Sequence, residues 1–283
     1  MTDAPVAAGR PARAAAGGWR VLAASVQGTG HATRGQPCQD SCAFHITRDG
    51  VLVAAACDGA GSAPLSAAGA DVAARTAVSS CVDALVATSG RDGARGEHWW
   101  TQRLRCAAGT ARDAVRHEAA RRDVDPCDLA TTLLLVLATA ERVASLQIGD
   151  GAVVASGVDD AVVGVTTPER GEYINETSFL TSAGAVEAAR VGEWRGPVAH
   201  VALTTDGLQV VALDLASGMP HAPFFRPLFA HVRHAADLDT AAGDLATWLA
   251  SPRLTARTDD DLTLVLASRV PGAGARRRRR RAG

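Results

Sequence analysis

The chain is predicted to fold as an α+β, four-layer α-β-β-α sandwich: two mainly antiparallel sheets flanked by helix pairs. Three observations predict it. The apolar runs are short and mostly joined by turn-length connectors, which suits antiparallel pairing. The helical patterns fall in two pairs, one ending near residue 122 and the other beginning near residue 225. Several apolar runs begin or end at an aspartate: VLVAAACDGAG (Asp58), SLQIGDGAVV (Asp150), HVALTTDGL (Asp206) and ARTDDDLTLVLAS (Asp259, Asp260, Asp261). Acids at strand tips converge only where the strands lie side by side.

Taken in order, residues 1–18 are rich in Ala, Gly, Pro and Arg, without the apolar stretch of a secretory leader. They read as a flexible arm ahead of one domain over 19–270. Residues 19–26 (WRVLAASV) form a first strand, and 31–37 a polar loop. Asp40 stands just before a strand over 42–47, and Asp49-Gly50 turns the chain into a strand over 51–57. Ser62 is a plausible N-cap, with Pro64 near the first helical position, for a helix reaching Ala87. A loop over 88–96 precedes a second helix over 97–122. Strands follow over 130–138, 142–148, 152–156 and 161–166. Residues 167–197 lack a clear period. A strand over 198–204 leads to Asp206, helices cover about 225–236 and 239–250, and 262–268 is the last strand. Residues 271–283 read as an Arg-rich flexible tail.

Composition narrows the function. Hydrophobic residues make up 47% and aromatics only 4%, so Val, Leu and Ala must fill the core. There is no lysine, and six arginines form one run, Arg276 to Arg281. The net charge of −1 includes that run, so the domain itself is acidic, which argues against nucleic-acid binding. The six cysteines show no C-x-x-C pairing and are expected to be free thiols in a reducing, cytoplasmic setting. No uninterrupted apolar window approaches a membrane span, and no membrane partner is expected.

Converging carboxylates repel unless protonated or bridged by a cation. Hard divalent ions with oxygen ligands fit such a set: magnesium, manganese or calcium. A carboxylate-only metal site with more than one ion is therefore expected. Two ions roughly 3.5–4 Å apart activate water for phosphoryl hydrolysis and require no side-chain nucleophile. No Ser-His-Asp or Cys-His arrangement competes. Asp58 leaves a rigid strand and is followed by Gly59, whose bare backbone lets a carbonyl approach a cation. Thr131 and Thr132 open a strand; they orient water at the site or serve only as good strand formers. A calcium-binding structural domain is a rival reading, but the D-x-D-x-D-G loop is missing.

The fragments C-Q-D (38–40), C-D-G-A-G (57–61), L-A-T-T-L (129–133), I-G-D-G (148–151), T-D-G-L (205–208) and D-D-L-T (260–263) occur in this order. The set resembles the metal-dependent protein phosphatases, the PPM or type 2C family, whose pattern is N-[EQ]-D, D-G-x-G, G-[ST]-T, G-D-S-R, S-D-G and D-N-x-T. The likeness extends over roughly residues 20–269, and residues 171–180 are similar to a bacterial branch with a compact insertion. It implies the same four-layer sandwich. It further implies hydrolysis of phosphoserine and phosphothreonine in proteins by a metal-activated water, with Mn2+ or Mg2+ as two ions and a weaker third. The partners implied are a phosphorylated protein and an opposing Ser/Thr kinase.

By the same resemblance Asp58 bridges both ions and the Gly59 carbonyl is a ligand. Asp206 and Asp260 complete the first ion's shell, Asp40 serves the second directly or through water, and Asp150 belongs to the third. Asp259 and Asp261 read as neighbours rather than ligands. The family's phosphate-binding arginine falls at Gly35 here, with Arg34 one residue early, so Arg34 is the candidate for phosphate. D-G-M-G-G-H is D-G-A-G-S-A, and His31 is the candidate for the missing histidine. These two departures leave open a catalytically inactive, phosphatase-like binding module.

Overall fold

A computed structural model describes residues 12–16, 18–88, 98–168, 178–214 and 216–270. Residues 1–11 of the expected arm, nearly all of the expected loop over 88–96, most of 171–180 and the Arg-rich tail lie outside the described residues.

The chain runs β1 (Ala12–Ala16), β2 (Trp19–Val26), α1 (Thr29–Thr33), β3 (Ser41–Ile46), β4 (Leu52–Cys57), α2 (Ser66–Ala87) and α3 (Trp99–Arg122). It continues through β5 (Leu133–Ala138), β6 (Arg142–Ile148), β7 (Ala152–Gly157), β8 (Val162–Thr166), α4 (Ala185–Ala188), β9 (Arg190–Arg195) and β10 (Val198–Thr204). Last come α5 (Gln209–Ala212), α6 (Ala222–His234), α7 (Leu238–Leu249), α8 (Pro252–Thr255) and β11 (Leu262–Arg269). One sheet has the order β1-β2-β11-β10-β7-β8 and the other β3-β4-β5-β6-β9, with antiparallel pairs throughout.

Period-2 alternation sends successive strand residues to opposite faces. Val53, Ala55 and Cys57 of β4 pack under α2 and α3, while Leu52, Ala54 and Ala56 face the other sheet. Leu22 of β2, Leu266 of β11 and Val154 of β7 pack under α6 and α7. Three apolar layers between four structural layers are the expected sandwich. On α2, buried Ala70, Ala73, Ala74 and Ala77 recur at helical spacing. Their small side chains let α3 and the sheet approach closely, so a core poor in aromatics still closes.

Local differences from the sequence reading have identifiable causes. Ala12–Ala16, read as part of the flexible arm, pairs with β2 at the sheet edge. Edge pairing is made by backbone groups, and ARAAA shows no period to announce it. Ser62 is not the N-cap of α2, which begins at Ser66 behind Leu65. Residues 58–65 are instead held as a turn, with Ala60 N–H donating to Ala130 O and Leu65 N–H to Asp128 O. The segment without period, 167–197, contains α4 and β9, and β9 extends the second sheet beside β6.

Register delivers the acids. Ser41 pairs with Cys57, which puts Asp40 and Asp58 side by side beyond the ends of β3 and β4. Thr204 pairs with Ala152, which sets Asp206 beside Asp150. Thr204 also pairs with Leu264, bringing the 259–261 turn to the same end.

Candidate metal centre

Ligand oxygens of Asp58, Asp150 and Asp206 lie within 4.8 Å of one another. They face an open cleft of about 270 Å³, whose lining also includes Gly59, Asp259, Asp260, Thr132, His31, Arg34 and Phe179. Five of the seven predicted site residues thus meet at the cleft as carboxylates or backbone beside them: Asp58, Gly59, Asp150, Asp206 and Asp260. Arg34 joins them from α1's C-terminal end. Asp40 is placed differently. It is 1% exposed beneath the cleft, and one of its oxygens accepts from the Thr205 hydroxyl at 2.8 Å.

The electrostatics are those of an acid cluster without enough counter-charge. Burial first, then Asp40 and Asp206, hold the Asp58 carboxyl well above the usual carboxylate range. Burial, then Asp150 and Asp260, push Asp206 up to about 6, although its bond with Asp58 works the other way. Burial and the nearby Asp261 raise Asp40. Both Asp58 and Asp206 are thus held toward the protonated form, a bias that a divalent cation would relieve. Several carboxylates around a small polar cleft fit a hard divalent ion.

The Asp58 turn is fastened on both sides. Asp58 N–H donates to Thr132 Oγ1 at 2.9 Å, Thr132 N–H donates to Asp58 O at 2.8 Å, and Thr131 Oγ1 donates to the same carbonyl at 2.9 Å. The threonines therefore lie ahead of β5 and act on the backbone of Asp58. A Cβ at Gly59 would fall 2.7 Å from Gln39 O and 2.8 Å from Ser66 Cβ, so no side chain fits there.

Several supports go beyond the sequence reading, which gives Asp261 only as a neighbour of the ligands and His31 only as a candidate for the missing histidine. Asp261 is 2% exposed and accepts from Gly28 N–H at 2.6 Å and Gln39 N–H at 2.5 Å. It thereby clamps both ends of the loop that carries His31 and Arg34. His31 Nδ1 lies 2.9 Å from Asp261 Oδ1, outside good hydrogen-bonding geometry. Gln147 Nε2 donates to Gly149 O and Gly151 O, and Gln209 Nε2 to Asp150 O, holding the Asp150 turn. Leu180 N–H donates to Thr131 O at 2.7 Å, which sets Phe179 as an apolar wall against Ala60. None of these has a sequence signal beyond its residue type.

The protein phosphatase 2C family model matches residues 27–250. The chain is also 33% identical over 256 residues to serine/threonine-protein phosphatase 3 of Escherichia coli (strain K12), covering 88% of this chain and 98% of that one. The chain belongs to the protein phosphatase 2C family. Its fold is shared with a bacterial serine phosphatase (TM-score 0.60, 14% identity, 88% of this chain and 97% of that one). It is shared also with the serine/threonine phosphatase Stp1 of Staphylococcus aureus (TM-score 0.58, 14% identity, 89% and 95%). The family residues expected at Gly35 and after Gly61 are absent from the sequence, yet Arg34 and His31 line the cleft that those positions would serve. A Cβ on Gly61 would meet His31 Nε2 at 3.9 Å.

Proposed function

We infer that this protein is a metal-dependent protein serine/threonine phosphatase. The observation that carries it is the convergence of Asp58, Asp150 and Asp206 in a chain of the protein phosphatase 2C family. Asp58, Asp206 and Asp260 are the proposed ligands of the principal ions, with the Gly59 carbonyl beside them. Asp150 would serve a further ion, and Asp40 acts from beneath, directly or through water. Manganese or magnesium suits this all-oxygen donor set. When bound, such ions supply Lewis acidity toward water and the phosphate oxygens.

The chain's own residues do the rest. The paired bonds from Thr131 and Thr132 fix the backbone of Asp58, so its carboxylate is aimed before any ligand arrives. Arg34 Nε donates to Gln36 Oε1 at 2.8 Å, which orients the guanidinium at the cleft mouth for phosphate. Phe179 offers an apolar wall to the part of the substrate next to the phosphate. The partner is a phosphorylated protein, with an opposing Ser/Thr kinase as the source of the modification. All six cysteines are free thiols, which suits a reducing cytoplasm. Among the described residues no helix is long and apolar enough to cross a membrane.

The test is release of phosphate from a phosphoserine or phosphothreonine peptide with manganese or magnesium, with and without chelator. Turnover that chelator abolishes and added metal restores is expected. Absence of turnover with either metal, or turnover indifferent to chelator, would overturn the reading.

A further inference from the structure

A second cavity, of about 200 Å³, lies between α6 and the outer face of the six-stranded sheet. His200 and Asp206 stand at opposite ends of β10, six residues apart, so the cavity is about 20 Å from the metal centre. The layer around it is otherwise apolar. A polar row interrupts it: register pairs His200 with Ser156 on β7 and with Ser268 on β11, and Ser268 with Arg20 on β2.

Part of the row serves the helix. Ser268 Oγ donates to Phe229 O at 3.2 Å, and Arg20 donates to the carbonyls of Arg233 and Ala235. His200 is not used up in this way. It is 4% exposed, stacks on Phe229 at 4.6 Å and sits with Nδ1 2.8 Å from Ser268 Oγ. In the tautomer that keeps both bonds, the serine hydrogen goes to Phe229 O, Nδ1–H donates to Ser268 Oγ and Nε2 keeps its lone pair. Burial, reinforced by Arg233, lowers the His200 pKa to about 4, so the ring is neutral.

On the helix side Arg226, Ala230 and Arg233 follow at spacings of four and three and share one face. Neither guanidinium has a carboxylate partner among the described residues. Arg226 donates instead to the Asp160 carbonyl at 3.3 Å. The cavity thus offers two guanidinium groups without carboxylate partners among the described residues, the hydroxyl of Ser156, which also donates to Gly157 O, and the imidazole of His200. Asp160 supplies its one acidic lining residue.

We propose that this cavity binds inorganic phosphate. The guanidinium groups take its unprotonated oxygens in charge-assisted bonds, and His200 Nε2 accepts from its P–OH. Inorganic phosphate keeps at least one proton through the neutral range. A phosphorylated side chain, with a second pKa of about 6, has mostly lost that proton at neutral pH, and sulfate lacks it altogether.

The test follows the His200 ring resonance of the full chain with magnesium during titration with inorganic phosphate, sulfate, chloride or a phosphoserine peptide. A saturable shift is expected with phosphate, with affinity at least about tenfold weaker for sulfate and for the peptide. Arg226→Gln with Arg233→Gln should abolish the shift. Both residues are exposed, so the fold should persist, and phosphate release at the distant cleft should be unchanged. The proposal is overturned by any of four results: no saturable response to phosphate, an equal response to chloride or sulfate, tighter binding of the phosphopeptide, or an unchanged shift in the double variant.

Discussion

The two ends of β10 are built from opposite chemistry. Beyond Thr204, Asp206 stands among Asp58, Asp150 and Asp260, and burial drives its carboxyl toward the protonated form. At the other end, His200 stands beneath two arginines, and burial drives its imidazole toward the deprotonated form. The same force neutralises both groups, because removing water penalises whichever form is charged. What differs is the surroundings. At the acid end the neighbours carry the same charge as the ionised group, so a cation relieves all of them together. At the basic end Ser268 holds the ring only through Nδ1, and the charge belongs to the exposed guanidinium groups, so the fitting ligand is an anion.

Changes at the acid end should have the larger consequences. Asp58→Asn keeps the size and removes the charge. It is expected to lower metal-dependent turnover by more than about a hundredfold and to weaken metal binding in titration. Near-normal turnover would remove Asp58 from its bridging place. Arg226→Gln, at the basic end, should leave turnover within about twofold.

Stability should separate the ends next. Asp206 has a folded-state pKa raised to about 6, above its ordinary value, so the folded metal-free chain holds more protons than the unfolded one. Its stability must then fall as pH rises from about 4 to about 6, the range between the two values. Saturating divalent metal should remove this slope. At a hundredfold excess over its dissociation constant it should add about 2.7 kcal/mol. Melting curves across pH, with metal and with chelator, decide this; a melting temperature flat against both variables would count against a preformed acid cluster.

Smaller effects test the edges of the cleft. Arg34→Ala should raise KM for a phosphopeptide by about tenfold, the worth of a charge-assisted bond, without changing metal affinity. Unchanged kinetics would leave the metals alone to hold the phosphate. Thr132→Val deletes the acceptor for Asp58 N–H and should cost about 1 kcal/mol in denaturant unfolding. If stability and turnover both stay at the parent values, the threonine is only a strand former.

Much of this was legible in the residues themselves. Period-2 and helical spacing are local properties, so strands such as β4 and β10 and helices such as α3 and α7 could be placed within a few residues. Acids at the ends of apolar runs, with glycine beside them, identified the chemistry of the cleft. Where local signals were silent, the reading failed: β1 has no alternation, and Ser62 looked like a cap because the bonds that hold its turn, from Ala60 to Ala130 and from Leu65 to Asp128, reach far along the chain.

Sequence by itself determined which residue types stand at the strand tips and that they call for a cation. Only the tertiary structure decided which acids meet. Asp58, Asp150 and Asp206 converge, Asp260 flanks them, Asp40 lies beneath, and Asp261, one residue from Asp260, turns inward to clamp the loop of His31 and Arg34. The reason is register. Distances between residues a hundred positions apart depend on how strands align and how sheets stack, and a one-residue slip would send every side chain to the other face.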